Sequence, residues 1–318
     1  MTNRRKFLQQ SGTLAMASLL YPGLSRSNPL LGIKAPKDTG LQLYTVGGLM
    51  ETDPKGTLQK LAAIGYKELE SAGSAKGIYY GYKPKEFSAL VKDLGMKWRS
   101  EHVSGIPFTM NSVLKMAKTA KDSADIQKLA PMIEAMAKMP NLRDNTQQLA
   151  DEAAEGGLTY VVCAGMPVDT MDDIKAAVDV MNKAGEICKK SGLQFAYHNH
   201  HLEFIPVGGV TPFDYMMANT DKNLVQAELD LGWAIVAGKD PIDVFNKYPG
   251  RIPLWHVKDI DKTTKAPTEL GSGMVDFKRI FDNAGTSGMK YFFIEQDNPP
   301  HPLENATNDF NNLKKKLA

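Results

Sequence analysis

Three of the six histidines in this 318-residue chain fall within four positions, in Tyr197-His198-Asn199-His200-His201-Leu202-Glu203-Phe204. The run before them, Leu193-Gln194-Phe195-Ala196, reads as a strand. Alternate side chains of a strand share a face, so His198 and His200 point one way and Asn199 and His201 the other. Two imidazoles on one face at a strand end suit metal ligation or proton transfer. Taken alone, the segment reads as well as a polar loop, because a short motif acquires meaning only from its context.

That context is a series of ionisable residues closing other β-rich runs. Glu70, the pair Glu101-His102, Asp230, His256 with Lys258, and Glu295 with Asp297 all stand at such ends. Each has a plain structural reading. Glu70 can cap a loop, His102 can be a hydrogen-bonded core histidine, and Asp230 can be a turn residue before Leu231-Gly232. Lys258-Asp259 can be a surface ion pair, worth about 0–1 kcal/mol. The recurrence argues against all of these at once, because polar groups recur at six of eight strand ends. Burying carboxylates and imidazoles together is costly unless they are paired or bind a metal.

The elements that must position these residues alternate. Strands are expected over 40–45, 66–70, 96–102, 158–163, 193–200, 224–230, 252–258 and 291–295. Helices are expected over 53–65, 84–95, 170–191, 212–219, 241–248 and 276–284, and at the C-terminus. Residues 109–156, rich in Ala, Lys and Met, read as helical throughout and hold an inserted helix. Eight strand–helix units predict an α/β protein, a (β/α)8 TIM barrel over residues 38–318. An open doubly wound sheet competes, but Gly47-Gly48 is too little for a dinucleotide-binding loop after the first strand. In a barrel all strand ends open on one face, so residues distant in sequence converge there.

Composition narrows the function classes. The chain is 42% hydrophobic and 23% charged, with net charge +2, an ordinary globular mix with no basic excess for nucleic acid. Cys163 and Cys188 are too few for a disulfide framework and are expected at opposite ends of one strand–helix unit. Residues 1–30 read as an address and linker. Asn3-Arg4-Arg5-Lys6-Phe7-Leu8-Gln9 resembles a twin-arginine export signal, followed by an apolar stretch too short to span a bilayer. Cleavage near Ala15-Met16-Ala17 or near Ser25 is compatible with it. The expected location is periplasmic.

Carboxylates and imidazoles without cysteine suit a divalent cation such as Mn, Mg, Co or Zn. Such an ion can act as a Lewis acid toward a sugar carbonyl, while a flanking carboxylate or imidazole moves the adjacent proton.

Several motifs in this order resemble the xylose-isomerase-like barrels, in the branch called sugar phosphate isomerases/epimerases. They are Gly40-Leu41-Gln42-Leu43-Tyr44, Gly65-Tyr66 through Glu70, and Tyr197-His198-Asn199-His200 through Glu203-Phe204. Asp230-Leu231-Gly232-Trp233, His256-Val257-Lys258-Asp259, Gly271-Ser272-Gly273 with Asp276, and Glu295 complete the set. The resemblance implies metal ligands at the ends of strands five to eight: His198, Asp230, His256 and Glu295. It implies Glu295 as a proton carrier, with His200 or Glu203 as the second, and His200 as an alternative ligand to His198. It implies Glu70, His102, Trp233 and Lys258 as substrate-facing residues. His198 stands where better-known members carry a glutamate, which departs from a two-glutamate proton shuttle.

The expected partner is a small carbohydrate, without nucleic acid or a membrane span; a homo-oligomer is allowed. An exported enzyme points away from sugar phosphates, toward a neutral sugar, cyclitol or keto-glycoside. The leading expectation is a metal-dependent isomerase or epimerase. The alternative is a lyase or dehydratase acting by β-elimination on a 3-keto-glycoside or inosose. An apurinic-site endonuclease shares the barrel but needs more metal ligands and a basic groove. A sugar-binding protein without metal is the non-enzymatic alternative.

Overall fold

The computed structural model describes residues 38–107, 134 and 137–317. The barrel strands are β1 Gly40–Gln42, β2 Glu68–Ser71, β3 Lys97–Val103, β4 Tyr160–Cys163, β5 Gln194–His198, β6 Val225–Asp230, β7 Leu254–Val257 and β8 Tyr291–Ile294. Each pairs in parallel with its sequence neighbour, and β8 pairs with β1 to close the ring. The expected (β/α)8 barrel is therefore the fold. Closure is tight at Gly40, where a Cβ would lie 2.4 Å from the Phe292 carbonyl oxygen and 2.6 Å from the Phe293 ring. Only glycine lets β1 approach β8 this closely.

Local sequence explains where the outer helices begin. Asp53 accepts a hydrogen bond from Gly56 N–H and caps Pro54–Ile64, with proline in the first turn. Thr170 and Asp173 form a reciprocal capping box on Met171–Lys190. Asn141 caps Leu142–Gly156, which Gly157 ends in a left-handed conformation at φ 74°. The principal core lies between strands and helices. Trp255 stacks on Phe245 at 4.7 Å and meets Phe281 edge-on, while Trp98 meets Phe87 edge-on at 4.9 Å. Each such ring contributes about 1.5–3 kcal/mol on burial. A second cluster, Tyr160, Val162, Ala196, Leu254 and Phe293, fills the barrel's interior below the polar end.

A bulge in β3 reorients one site residue. Leu69 pairs with Trp98, but Glu70 pairs with Ser100, so β3 carries one extra residue there. A one-residue shift reverses the facing of every later side chain. Trp98 packs outward against Phe87, whereas His102, four positions on, faces the barrel axis, within 2.7 Å of Glu228. Glu101 is correspondingly buried on the outer face.

Several elements depart from expectation. β1 ends at Gln42 rather than Thr45, because the chain turns into a 3-10 helix Leu43–Val46 and then a helix Gly47–Thr52. Gln42 drives that turn by accepting from Tyr44 N–H. A short helix Leu231–Val236 follows β6 directly, capped by Asp230. The helix expected over 276–284 is two pieces, Phe277–Phe281 and Ala284–Ser287. Asp259–Ile260 and Pro267–Thr268 form an antiparallel hairpin after β7. The expected signal over 1–30 lies outside the described residues, as does most of the inserted helix expected within 109–156. Among the described residues no helix is long and apolar enough to cross a membrane. Cys163 and Cys188 are both buried and unpaired.

Candidate active site

Alternation along the strands builds the site in layers. On β6, Gln226, Glu228 and Asp230 share one face; on the β7 path, Leu254, His256 and Lys258 do; on the β8 path, Tyr291, Phe293 and Glu295 do. The upper layer, at the C-terminal mouth, holds Asp230, Lys258, Glu295 and Asp297. The layer beneath holds Gln42, Glu70, His102, His198 and Glu228. His256 joins them. One edge of its ring presents Nδ1 to Glu295 Oε2 at 2.9 Å, and the other presents Nε2 to Glu70 Oε1 at 2.6 Å and Glu228 Oε2 at 3.3 Å.

In the lower layer three imidazoles converge on one carboxylate oxygen. Glu228 Oε2 lies 2.7 Å from His102 Nε2, 3.1 Å from His198 Nδ1 and 3.3 Å from His256 Nε2. Glu70 Oε1 accepts from Gln42 Nε2 at 2.8 Å and contacts His102 Nε2 at 3.1 Å. The His102 and His256 rings stack, 5.0 Å apart and 7° from parallel. In the upper layer Lys258 Nζ lies 3.1 Å from Asp230 Oδ2 and 2.9 Å from both Glu295 Oε2 and Asp297 Oδ2. Lys258 does not pair with Asp259. That aspartate is buried and accepts backbone N–H groups of Gly271, Gly273 and Val275, which shapes the Gly-rich loop.

The four expected metal ligands do not form one set. Asp230, His256 and Glu295 bring ligand atoms within 4.8 Å of one another, but His198 belongs to a different group, with His102, Glu228 and His256. His198 sits one layer too deep because it ends β5 inside the ladder, level with Glu228. Donor chemistry fits a divalent ion in either group.

The other expected residues fall as follows. His200 is partly buried, with its ring 5.0 Å from His198 and 6.4 Å from Trp233. Trp233 forms a wall, with Lys258 Nζ 4.9 Å from its ring centre. Glu203 is not at the centre. Its two oxygens accept from Tyr197 Oη at 2.8 Å and His200 N–H at 2.9 Å, so it braces the turn carrying His200. Asn199 accepts from Asp230 N–H and ties β5 to β6. Glu228 was overlooked in the sequence, although it lies two residues before Asp230 on the same strand face. Gln42 was overlooked likewise, whereas Asp297, read at the eighth strand end, stands beside Lys258.

Burial and charge set the protonation states. Burial works against charge on His256 and His102, but the neighbouring carboxylates prevail. Glu228 and Glu295 hold His256 well above its ordinary range, and Glu70 and Glu228 hold His102 at about 9. Burial lowers His198 well below its usual value and His200 to about 3, so both imidazoles are neutral at neutral pH. Burial raises Glu228 to about 7, with Glu70 adding to it. Burial would raise Glu295 too, but Lys258 and His256 outweigh it and keep the carboxylate ionised. Such divergent values cluster where chemistry is done.

Known proteins share this architecture. Inosose dehydratases from Clostridium tetani and Clostridium perfringens strain 13 are 30% and 29% identical over 185 residues, covering 52% and 51% of this chain. The match spans 61% of each of those relatives. A sugar phosphate isomerase/epimerase structure from Parabacteroides distasonis superposes with a TM-score of 0.69 at 25% identity, over 90% of this chain and 96% of that one. The zinc-bound IolI protein shares the fold, with a TM-score of 0.62 at 14% identity, over 88% of this chain and 98% of that one. The xylose isomerase-like TIM barrel model matches residues 58–316, and the chain belongs to that family.

Proposed function

We propose that this chain is a divalent-metal-dependent isomerase or epimerase of a sugar or sugar derivative, acting by removal of the proton beside a carbonyl. The observation that carries the reading is His256, buried at the junction of two groups of metal-type donors on the barrel's C-terminal side. When bound, the ion supplies Lewis acidity toward the carbonyl oxygen. Glu295, ionised and next to Lys258, accepts the proton from carbon. His200, neutral and beside Trp233, is placed to carry a proton on the other side. Lys258 offers N–H donors to sugar oxygens, and the Trp233 ring offers an apolar face to the sugar. Lys258 already faces three carboxylates, which disfavours a phosphate and favours a neutral substrate. Arg4-Arg5 and the apolar stretch behind them support action in the periplasm.

A second reading, elimination of water or an aglycone, is favoured by the matches to inosose dehydratases. His198 also stands where a two-glutamate shuttle would need a carboxylate. The first step is shared; the double bond then forms as the C–O bond breaks, and the leaving oxygen takes a proton. Incubation with free ketoses, inososes and 3-keto-glycosides in deuterated buffer, followed by product NMR, separates the two. Deuterium beside the carbonyl with every oxygen retained supports isomerisation or epimerisation. Loss of water or aglycone transfers the assignment to a lyase. Neither change in any substrate sinks both.

A further inference from the structure

We infer that the mouth of the barrel carries a subsite for an apolar ring, lined by Tyr44, Trp233, Leu202 and Ile205, so that the substrate is a sugar bearing an aryl aglycone rather than a free sugar. This rests on the proposed sugar chemistry and names the substrate class.

Position is the first argument. Among the described residues, four large hydrophobic side chains are exposed, Tyr44, Leu202, Ile205 and Met274, each between 39% and 47%. Single exposed hydrophobic residues need no explanation. All four of these, however, follow C-terminal strand ends: Tyr44 after β1, Leu202 and Ile205 after β5, and Met274 after β7. Those ends share the rim of one mouth.

Rigidity is the second. Gln42 accepts from Tyr44 N–H and starts the 3-10 helix that buries Leu43, Thr45 and Val46 while turning Tyr44 outward. After β5, Glu203 and Phe204 are buried between Leu202 and Ile205. Phe204 rests on Phe213 at 4.9 Å, and Glu203 is bonded to Tyr197 and His200. Leu202 and Ile205 are thus held out in fixed positions, which lowers the ordering cost of binding.

Continuity with the reaction centre is the third. Burial pushes the pKa of the Tyr44 hydroxyl up, Asp297 and Glu295 add to this, and Asn298 and Lys258 oppose it, so the ring stands beside that cluster. On the other side, Lys258 Nζ lies 4.9 Å from the Trp233 ring centre. His201, next to Leu202, brings its ring to 5.4 Å from Trp233. Polarity therefore falls from carboxylates and ammonium inside to aliphatic side chains outside. A polyol suits the interior. Aromatic faces can stack on sugars, but exposed leucine and isoleucine gain only by burying apolar surface. That favours an aryl group over a second sugar at the rim.

The experiment is saturation-transfer NMR titration of the full chain with matched methyl and phenyl glycosides of glucose, galactose, mannose and xylose. These carry no carbonyl and bind without reacting. At least one phenyl glycoside should bind about 10-fold or more tighter than its methyl partner. Tyr44→Ala and Ile205→Ser, each folded by circular dichroism, should cut that ratio by at least about 3-fold. Ratios within about 2-fold of unity across the panel overturn the subsite. So does a ratio that neither variant moves, or tighter binding of cellobiose than of phenyl glucoside. An oligomer that sediments as a monomer after Ile205→Ser also overturns it, because the rim then faces a second copy. Aryl preference in a chain that exchanges no deuterium with any substrate keeps the subsite and removes the proposed function; exchange without aryl preference does the reverse.

Discussion

The Lys258 ammonium and the Glu295 carboxylate lie 2.9 Å apart at the mouth of the barrel, both almost entirely buried. A buried lysine there replaces solvent for a group of carboxylates and fixes which of them stay ionised. Lys258→Met leaves Asp230, Glu295 and Asp297 without their ammonium. Removing one partner of a buried pair costs about 3–5 kcal/mol, so the thermal midpoint should fall. Catalysis should drop by about 100-fold or more if the ammonium stabilises developing charge. With the ammonium gone, Asp230, His256 and Glu295 have no competing cation beside them, so a divalent ion should bind there more tightly. Metal titration of the folded variant checks this; unchanged affinity with wild-type stability would show that Lys258 does not compete for that place.

Glu203 is expected to position His200 rather than to react. Glu203→Gln can retain only one of the two acceptor contacts, to Tyr197 Oη or His200 N–H. Turnover should fall by about 10-fold, the scale of a lost supporting contact, with metal content and the shape of the pH–rate profile unchanged. Disappearance of a limb of that profile would instead make Glu203 a proton carrier.

A separate pH effect is expected on the outer face of the barrel. Burial pushes Glu101 up to about 8, and the Glu152 carboxylate adds to it. The nearby Tyr79 hydroxyl opposes this rise but does not cancel it. The folded state therefore holds this proton more tightly than the unfolded chain. The contribution to stability is full below the ordinary glutamate range and declines as pH rises toward about 8, by at most about 1.4 kcal/mol per pH unit. Glu101→Gln should flatten the fall in thermal midpoint between pH 5 and 8. An equal fall in the variant would mean that Glu101 is ionised throughout.

Much of this was legible in the sequence, and the gaps have physical causes. Strand and helix alternation identified the barrel because each helix start carries its own signal, such as Pro54, Thr170 and Pro212. The convergence of His198, Asp230, His256 and Glu295 followed from strand ends sharing one rim. Their division into two layers did not, because depth depends on register, and β5 stays in the ladder through His198. Glu228 was hidden among apolar neighbours that read as ordinary core. The inward turn of His102 required the β3 bulge, which period-two reasoning cannot detect. Asp259, for which a surface ion pair with Lys258 was the plain alternative, is instead the acceptor that folds the Gly271–Val275 loop.

The most direct test of the account is solvent-deuterium exchange beside the substrate carbonyl, followed by NMR with wild-type, chelator-treated and His256→Ala protein. The account predicts exchange with at least one ketose, inosose or keto-glycoside. It also predicts loss of that exchange on chelation, recovery with zinc, cobalt or manganese, and no exchange in a folded His256→Ala chain. Exchange that survives either chelation or the loss of His256 would contradict it.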